Sequence, residues 1–369
     1  MQKLSNMQKS IQLNLFEPLL EIPYHSPDIP FQPKKTVKAI ELFAGAGGLA
    51  LGLEKAGLKT QFLVEIDKDA VATLRHNRPD WHIIHDDISK VSFKQMSADV
   101  VTGGFPCQSF SYAGKKLGLE DTRGTLFYEF ARCVQEIKPK LFLAENVRGL
   151  ISHQQGETLK IILAILESLG YQVQYRLLNA VNYDVPQKRE RIIIVGTRSD
   201  LNVQFFYPEP SQKILTLRDA LNNVPPSAGV KYSKKKAEVL KLVPPGGCWR
   251  DLPENIQKEY MMKSYYLGGG KTGMARRISW DEPSLTLTTS PSQKQTDRCH
   301  PDETRPFTVR EYARIQTFPD DWEFMGGITS QYKQIGNAIP VNFAYHLGRS
   351  IISALTGCFG EKINRAFFN

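Results

Sequence analysis

The sequence predicts an α/β fold: a doubly wound sheet carrying a smaller, irregular module. Three observations predict it. Between Thr36 and Thr197, short apolar runs of strand character alternate with stretches whose apolar residues recur at helical spacing. After Thr197 that alternation gives way to Pro, Gly and basic residues. Near Phe307 regular patterning resumes. The implied division is an extension over 1–35, a first domain over 36–200, an irregular domain over 201–306, and a C-terminal part over 307–369 that completes the first domain.

Residues 1–35 are polar and broken by Pro18, Pro23, Pro27, Pro30 and Pro33, so they read as loosely ordered, with one short helix around "IQLNLFEPLLEI". "TVKAIELF" reads as a buried strand. "AGAGG" follows, then "LALGLEKAG", a helix closed by Gly57. "QFLVEID", "WHIIHDD", "ADVVTGG" and "KLFLAEN" are further strands. Leu126, Phe130, Val134 and Ile137 form one helical stripe, and Leu159, Ile162, Leu163, Leu166 and Leu169 another. "YQVQYRLLNA" and "RERIIIVGT" read as two adjacent strands. "NNVPPSAG", "VPPGGCW" and the basic run Lys234 to Lys236 mark loops of the irregular domain. Thr308 and Glu311 have capping-box spacing, so a helix starts there. "NAIPVNFAYHLGRSIISAL" reads as one last helix.

Composition bounds the function. With 41% apolar residues in 369, the chain can build a core without covalent staples. The net charge of +9 suggests a polyanionic partner. The five cysteines are odd in number and none are spaced CxxC, which argues against a disulfide framework or a zinc site; no metal is expected. No stretch approaches the about 18–20 apolar residues of a membrane span. A soluble, cytoplasmic, monomeric protein is expected.

Several residues invite chemistry. In "ELFAGAGG" a strand leads through glycines into a helix; Gly45, Gly47 and Gly48 allow close approach of a ligand to the backbone. Some 20 residues on, Glu65 follows the second strand, suited to ribose hydroxyls, and Asp87 follows the third. This is a nucleoside-cofactor pattern, compatible also with NAD or FAD, or with an ordinary tight turn. Cys107 stands at the end of the fourth strand, on a turn where ligands of open α/β sheets bind, though a cysteine alone is as readily structural. Glu145 ends the next strand and could alone be a surface carboxylate. Gln187, Arg189 and Arg191 precede another strand, and period-two alternation puts both arginines on one face. What distinguishes these residues from incidental charges is that they converge on one sheet edge.

In order, "ELFAGAGG", "EID", "DDI", "GGFPCQSFS", "ENV", "PQKRER", "RPFTVREYARIQTFPDDW" and "GNAIP" run from Ile40 to about Gly348. On this ordered set the chain resembles the C5-cytosine DNA methyltransferases of bacterial restriction–modification systems. Glu41 stands where many relatives carry Asp, and "GNAIPV" has valine where a second proline is common.

The resemblance implies a Rossmann-like S-adenosylmethionine methyltransferase sheet with a smaller DNA-recognition domain. It implies that Cys107 adds to cytosine C6, that Glu145 acts at N3, and that Arg191, with Arg189, holds the O2 side of the base. Pro106, counted with the cofactor pocket, shapes the turn and contacts the cytosine. Phe43, Gly45 and Gly48 would line the methionine and adenine side of S-adenosylmethionine. Glu65 would take the ribose, Ile66 the adenine face, and Asp87 with Ile88 the adenine edge. Asn337 would complete the pocket, which requires the C-terminal helix to pack back on the first domain. Gln108 and Ser109 would belong to a loop closing over double-stranded DNA, and Thr286 would contact phosphate. Arg276, Arg277, Lys294 and Arg298 are candidates for base or phosphate contacts.

The implied role is to methylate a short duplex site and protect host DNA from a paired restriction endonuclease with which it forms no stable complex. The family's tRNA-methylating branch is a rival, disfavoured because its Cys–Phe–Thr tripeptide is absent. A catalytically silent DNA-binding regulator is another, disfavoured by intact Cys107, Glu145 and Arg191. An NAD enzyme leaves "FPCQ" and "ENV" unexplained.

Overall fold

A computed structural model describes residues 36–106, 126–267 and 272–357. The short helix expected near the N-terminus, Cys107, Gln108 and Ser109 lie outside the described residues.

The strands of the main sheet are β1 (Val37–Leu42), β2 (Leu58–Glu65), β3 (Ile83–His85), β4 (Val100–Gly103), β5 (Leu141–Val147), β6 (Tyr171–Asn179) and β8 (Glu190–Arg198), arranged β3-β2-β1-β4-β5-β8-β6. The first five are mutually parallel. β8 runs antiparallel to both β5 and β6. The expected doubly wound α/β sheet is therefore present, with the two late strands adjacent as the sequence predicts. Strands that are buried on both faces read as continuous apolar runs, and Ile40, Leu42, Val100, Val101, Leu141 and Leu143 are solvent-inaccessible or nearly so.

Helices α1 (Gly48–Ala56), α2 (Lys68–Asn77), α3 (Leu126–Ile137), α4 (Gly149–Ser152) and α5 (Glu157–Ser168) intersperse these strands. α3 and α5 bury Phe127, Phe130, Ile162 and Leu166 on one face of the sheet. α1 and the last helix cover the other face. After the two-residue β7 (Gln187–Lys188) and β8 come α6 (Leu217–Leu221), α7 (Lys234–Lys241), α8 (Glu254–Met261), the two-residue β9 (Ser284–Leu285), α9 (Val309–Ile315), α10 (Ile328–Asn337) and α11 (Val341–Thr356). α9 opens on the predicted capping box: the Thr308 N–H donates to Glu311 Oε2 (2.7 Å) and the Thr308 side chain accepts from the Glu311 N–H. The last helix expected from "NAIPVNFAYHLGRSIISAL" is present but starts only at Val341, because Pro340 caps it and the backbone is extended at Ala338, while Asn337 ends the preceding α10.

α11 packs back on α1, as the cofactor expectation requires. Two glycines let the helices approach. An added Cβ at Gly52 would lie 2.5 Å from the Val341 carbonyl and 2.8 Å from the Tyr345 nitrogen, and one at Gly348 would lie 2.6 Å from Ala56 Cβ. Phe343, Leu347 and Ile351 thereby share a core with Leu49 and Leu53.

The irregular region is not uniform. Phe205 and Tyr207, inside its expected boundary, pack into the core beneath the main sheet. Leu217, Ile278 and Leu287 join a cluster with Phe307, Tyr312 and Trp322. A core separate from these holds Leu240, Val243, Trp249, Leu252, Met261, Met274, Ala275 and Cys299.

Candidate active site

The carboxyl ends of β1, β2, β4 and β5 lie side by side, since Leu42 pairs with both Val64 and Gly103, and Gly103 with Ala144. Residues just past these ends must share one rim. Phe43 adopts a left-handed backbone (φ 58°), rare for a side chain of its size, and Gly45 follows at φ 53°. A Cβ added at Gly45 would meet nothing within 4 Å, so the turn faces open space. Glu65 braces it: Oε2 accepts from the Gly45 N–H (2.7 Å), and Oε1 from those of Ile66 (2.9 Å) and Asp67 (2.7 Å). A carboxylate has about four acceptor sites, so capacity remains on Glu65. Ile66 beside it is 64% exposed, unusual for an isoleucine at the end of a buried strand. Asp87 is half-buried, and the N–H and O–H of Ser89 hold its carboxyl below the usual range.

Two residues expected at the pocket also serve packing. The missing Cβ of Gly48 makes room for the Ile339 carbonyl and for Ala338. Ile88 is buried in the core with Phe93 and Phe127. Asn337 ends α10 exposed, and the next residues, Ala338 and Ile339, lie against Gly48.

Beside this turn, Gly104, Phe105 and Pro106 lead from β4 toward Cys107. Phe105 is buried against Phe127 and Phe130, whereas Pro106 is exposed. Asn146, which sequence reasoning did not single out, fixes this lead. Its Nδ2 donates to the Phe105 carbonyl (2.8 Å), and its Oδ1 accepts from the Val147 N–H (2.8 Å). Glu145 is mostly buried, with Oε1 2.6 Å from Arg191 Nε. That nitrogen makes no aligned hydrogen bond, so the contact is one of charge rather than of directed N–H···O geometry. A Cβ at Gly104 would come within 2.9 Å of Glu145 Oε2; the glycine clears space beside that oxygen.

Arg189 does not join the pair. The strand alternation that predicts it on the face of Arg191 is broken between β7 and β8, and Arg189 is 2% exposed. Its guanidinium donates to the carbonyls of Leu287 (3.2 Å) and Gly336 (3.0 Å), with a longer 3.5 Å contact to Asn337. The expected DNA contacts also change. Thr286 donates its one hydroxyl proton to the Lys188 carbonyl (2.7 Å), leaving no donor for a phosphate while that bond holds. Arg277, 4% exposed, bonds the carbonyls of Leu240, Val243, His300, Pro301 and Glu303. Arg298 bonds the carbonyls of Thr286 and Asp297, and burial pushes its pKa down to about 10. Arg276 is held by both oxygens of Glu282 (2.7 Å each). Lys294, over the Tyr260 ring, is the exposed member of the four.

Among the described residues no cluster of three metal-ligating side chains occurs, and no helix is long and apolar enough to cross a membrane. Residues 37–353 match the family model of C-5 cytosine-specific DNA methylases. The chain is 61% identical over 338 residues to the Type II methyltransferase M.Eco47II of Escherichia coli, covering 88% of this chain and 80% of that one. It is 58% identical over 330 residues to the Type II methyltransferase M.Sau96I of Staphylococcus aureus, covering 87% and 77%. Among solved structures, the S. pombe Dnmt2 methyltransferase superposes with a TM-score of 0.61 at 17% identity, over 86% of this chain and 98% of that one, a likeness of fold.

Proposed function

The chain belongs to the C-5 cytosine-specific DNA methylases, and from that premise we propose that it methylates a cytosine rotated out of a specific short duplex site, through a covalent adduct of Cys107. The observation that carries this reading is the convergence of Glu145, Arg191 and the Gly104–Pro106 lead, tied by Asn146.

The chemistry follows from what each residue can do. Cytosine C5 is a poor nucleophile unaided. The Cys107 thiolate forms a bond to C6, and the C5–C6 π electrons move toward C5. Arg191 holds Glu145 Oε1, which leaves Oε2, beside Gly104, as the oxygen to carry a proton to N3; protonation there draws electron density into the ring as the thiolate adds. Loss of the C5 proton after transfer lets the C6–S bond break and returns Cys107. The target must leave the stack for the thiolate to reach C6, at a cost of a few kcal/mol. The residues at the neighbouring turn fit a nucleoside cofactor: Gly45 opens onto space, Ile66 offers an exposed apolar surface and Glu65 keeps acceptor capacity. S-adenosylmethionine bound there supplies an electrophilic methyl group. From the Type II relatives we carry over the protection of host DNA against a cognate endonuclease.

Purified enzyme is to be incubated with methyl-labelled S-adenosylmethionine and duplex DNA, RNA or neither. Label should enter DNA alone. Cys107→Ser should abolish transfer while duplex binding survives, because an alkoxide is far scarcer than a thiolate at neutral pH. DNA carrying 5-fluorocytosine at the target should trap the wild type covalently. Label in RNA alone, or full turnover by the serine variant, overturns the reading.

A further inference from the structure

Arg189 sits in a buried polar junction that joins three distant stretches of chain. Gln187, wholly buried, accepts the Leu287 N–H on Oε1 (2.9 Å) and donates from Nε2 to Gln316 Oε1 (2.8 Å). Gln316, also wholly buried, donates to the carbonyls of Ile335 (2.7 Å) and Ala338 (3.0 Å). Arg189 spans the remaining gap, with one guanidinium nitrogen on Leu287 and another on Gly336. Thr286 closes onto Lys188, and β7 pairs with β9. Gly336 packs without room for a Cβ against the Thr288 carbonyl.

Each arm of the junction adjoins a working part. Two residues beyond Arg189, Arg191 holds Glu145. Beyond Leu287 and Thr288 the chain returns to the separately packed core of the irregular region at Cys299. Gly336 adjoins Asn337, which ends α10 near the cofactor turn. A buried guanidinium is costly to desolvate, and an apolar residue could fill the space. What an apolar residue cannot do is bond carbonyls of two segments at once. Nor can lysine reproduce a planar fork with five donors in fixed directions.

Resting on the reading of the chain as a DNA cytosine methyltransferase, we propose that Arg189 is a positioning residue. With Gln187 and Gln316 it sets the register between the recognition segment and the Glu145–Arg191 pair, and it never touches the base. DNA held by the recognition segment then presents its cytosine to Glu145 only while this junction is intact.

The test compares full-length wild type with Arg189→Lys, Arg189→Met, Gln316→Ala and Thr286→Val, on duplex DNA containing the site that the wild type itself methylates. At saturating DNA and S-adenosylmethionine, Arg189→Lys and Gln316→Ala should each lower kcat at least tenfold, with both KM values within threefold of wild type. The double variant Arg189→Lys/Gln316→Ala should be scarcely worse than either alone, because both break one unit. Thr286→Val should show a smaller loss of the same kind, and with Gln316→Ala it carries the test if the Arg189 variants do not fold. The proposal is overturned if Gln316→Ala and Thr286→Val turn over like wild type while Arg189→Met loses adduct formation on 5-fluorocytosine DNA, which would make Arg189 a base contact. It is equally overturned if kcat, both affinities and the melting temperature fall together, the mark of a structural role alone. Absence of label from wild-type reactions would instead refute the methyltransferase reading.

Discussion

At the scale of single residues, the site depends on atoms that are missing as much as on those present. A methyl group added at Gly104 would sit only 2.9 Å from Glu145 Oε2. Gly104→Ala should therefore displace the carboxylate and cut methyl transfer by at least tenfold. Its melting temperature should fall by less than its activity, since one carboxylate oxygen shifts while the backbone at Gly104 can stay in place. Labelled-methyl incorporation alongside a thermal melt checks both halves. Glu41 poses a different problem. It lies in β1 with Oε2 buried and unpartnered, and burial, then the nearby Glu65 charge, pushes its pKa well above the ordinary 4.5. A carboxyl that binds its proton more tightly when folded contributes fully below its unfolded pKa, and that contribution is lost as pH rises toward the folded value. Wild type should thus lose stability from about pH 4.5 upward relative to Glu41→Gln, which cannot titrate. Urea midpoints between pH 4 and 8 should diverge with rising pH; parallel profiles would mean that Glu41 is ionised in the fold.

At the scale of elements, the α1–α11 contact connects the two ends of the domain. Gly52→Ala would push a methyl group into the backbone of α11 at Val341 and Tyr345. Overpacking of this kind costs about 1–3 kcal/mol. Because α11 and Asn337 are joined through Ala338–Pro340, cofactor affinity should weaken along with the urea midpoint. A normal affinity in a destabilised variant would uncouple the two. The strands of the main sheet were legible because burial on both faces leaves an apolar run that any reading of the sequence detects. The rim residues were legible because strand ends fall together in a parallel sheet. Arg189 was misread because alternation was carried across Gln187 to Arg191, where the chain in fact leaves β7 and starts β8. Arg277 and Arg298 were misread for a second reason. A charge in a basic, loop-rich stretch looks solvated, and the carbonyls that bury these two are supplied by segments up to 37 residues distant, among them the end of α7, a distance that no local pattern reveals. Asn146 was passed over because nothing in "ENV" shows that its amide reaches 41 residues back to Phe105.

At the scale of the molecule, the irregular region has a core of its own, and on the proposed reading, which assigns recognition to it, the boundary of that core decides how recognition and chemistry can be exchanged. Residues 231–276 hold ten Lys and Arg against four Asp and Glu, so they carry most of the chain's excess of nine positive charges, and attraction for the DNA backbone should concentrate there. They also supply most of the separate core, from Tyr232 through Ala275. The wider stretch 201–306 is not a unit. It includes Phe205 and Tyr207, which fill the main core, and Thr286 and Leu287, which meet Lys188, Gln187 and Arg189. Replacing only 231–276 with the corresponding segment of a relative of different target should keep these contacts. Arg277 would still find acceptors, because it bonds the backbone carbonyls of Leu240 and Val243, which any side chains there would preserve. That chimera should fold, retain methyl transfer and methylate the donor's site. Replacing 201–306 should melt earlier and transfer more slowly, whichever site it selects. Methylation-sensitive sequencing of DNA from cells expressing each chimera, with melting curves of the purified proteins, separates the cases. A 231–276 chimera that is folded and active yet still modifies the original site would place the choice of sequence outside this segment.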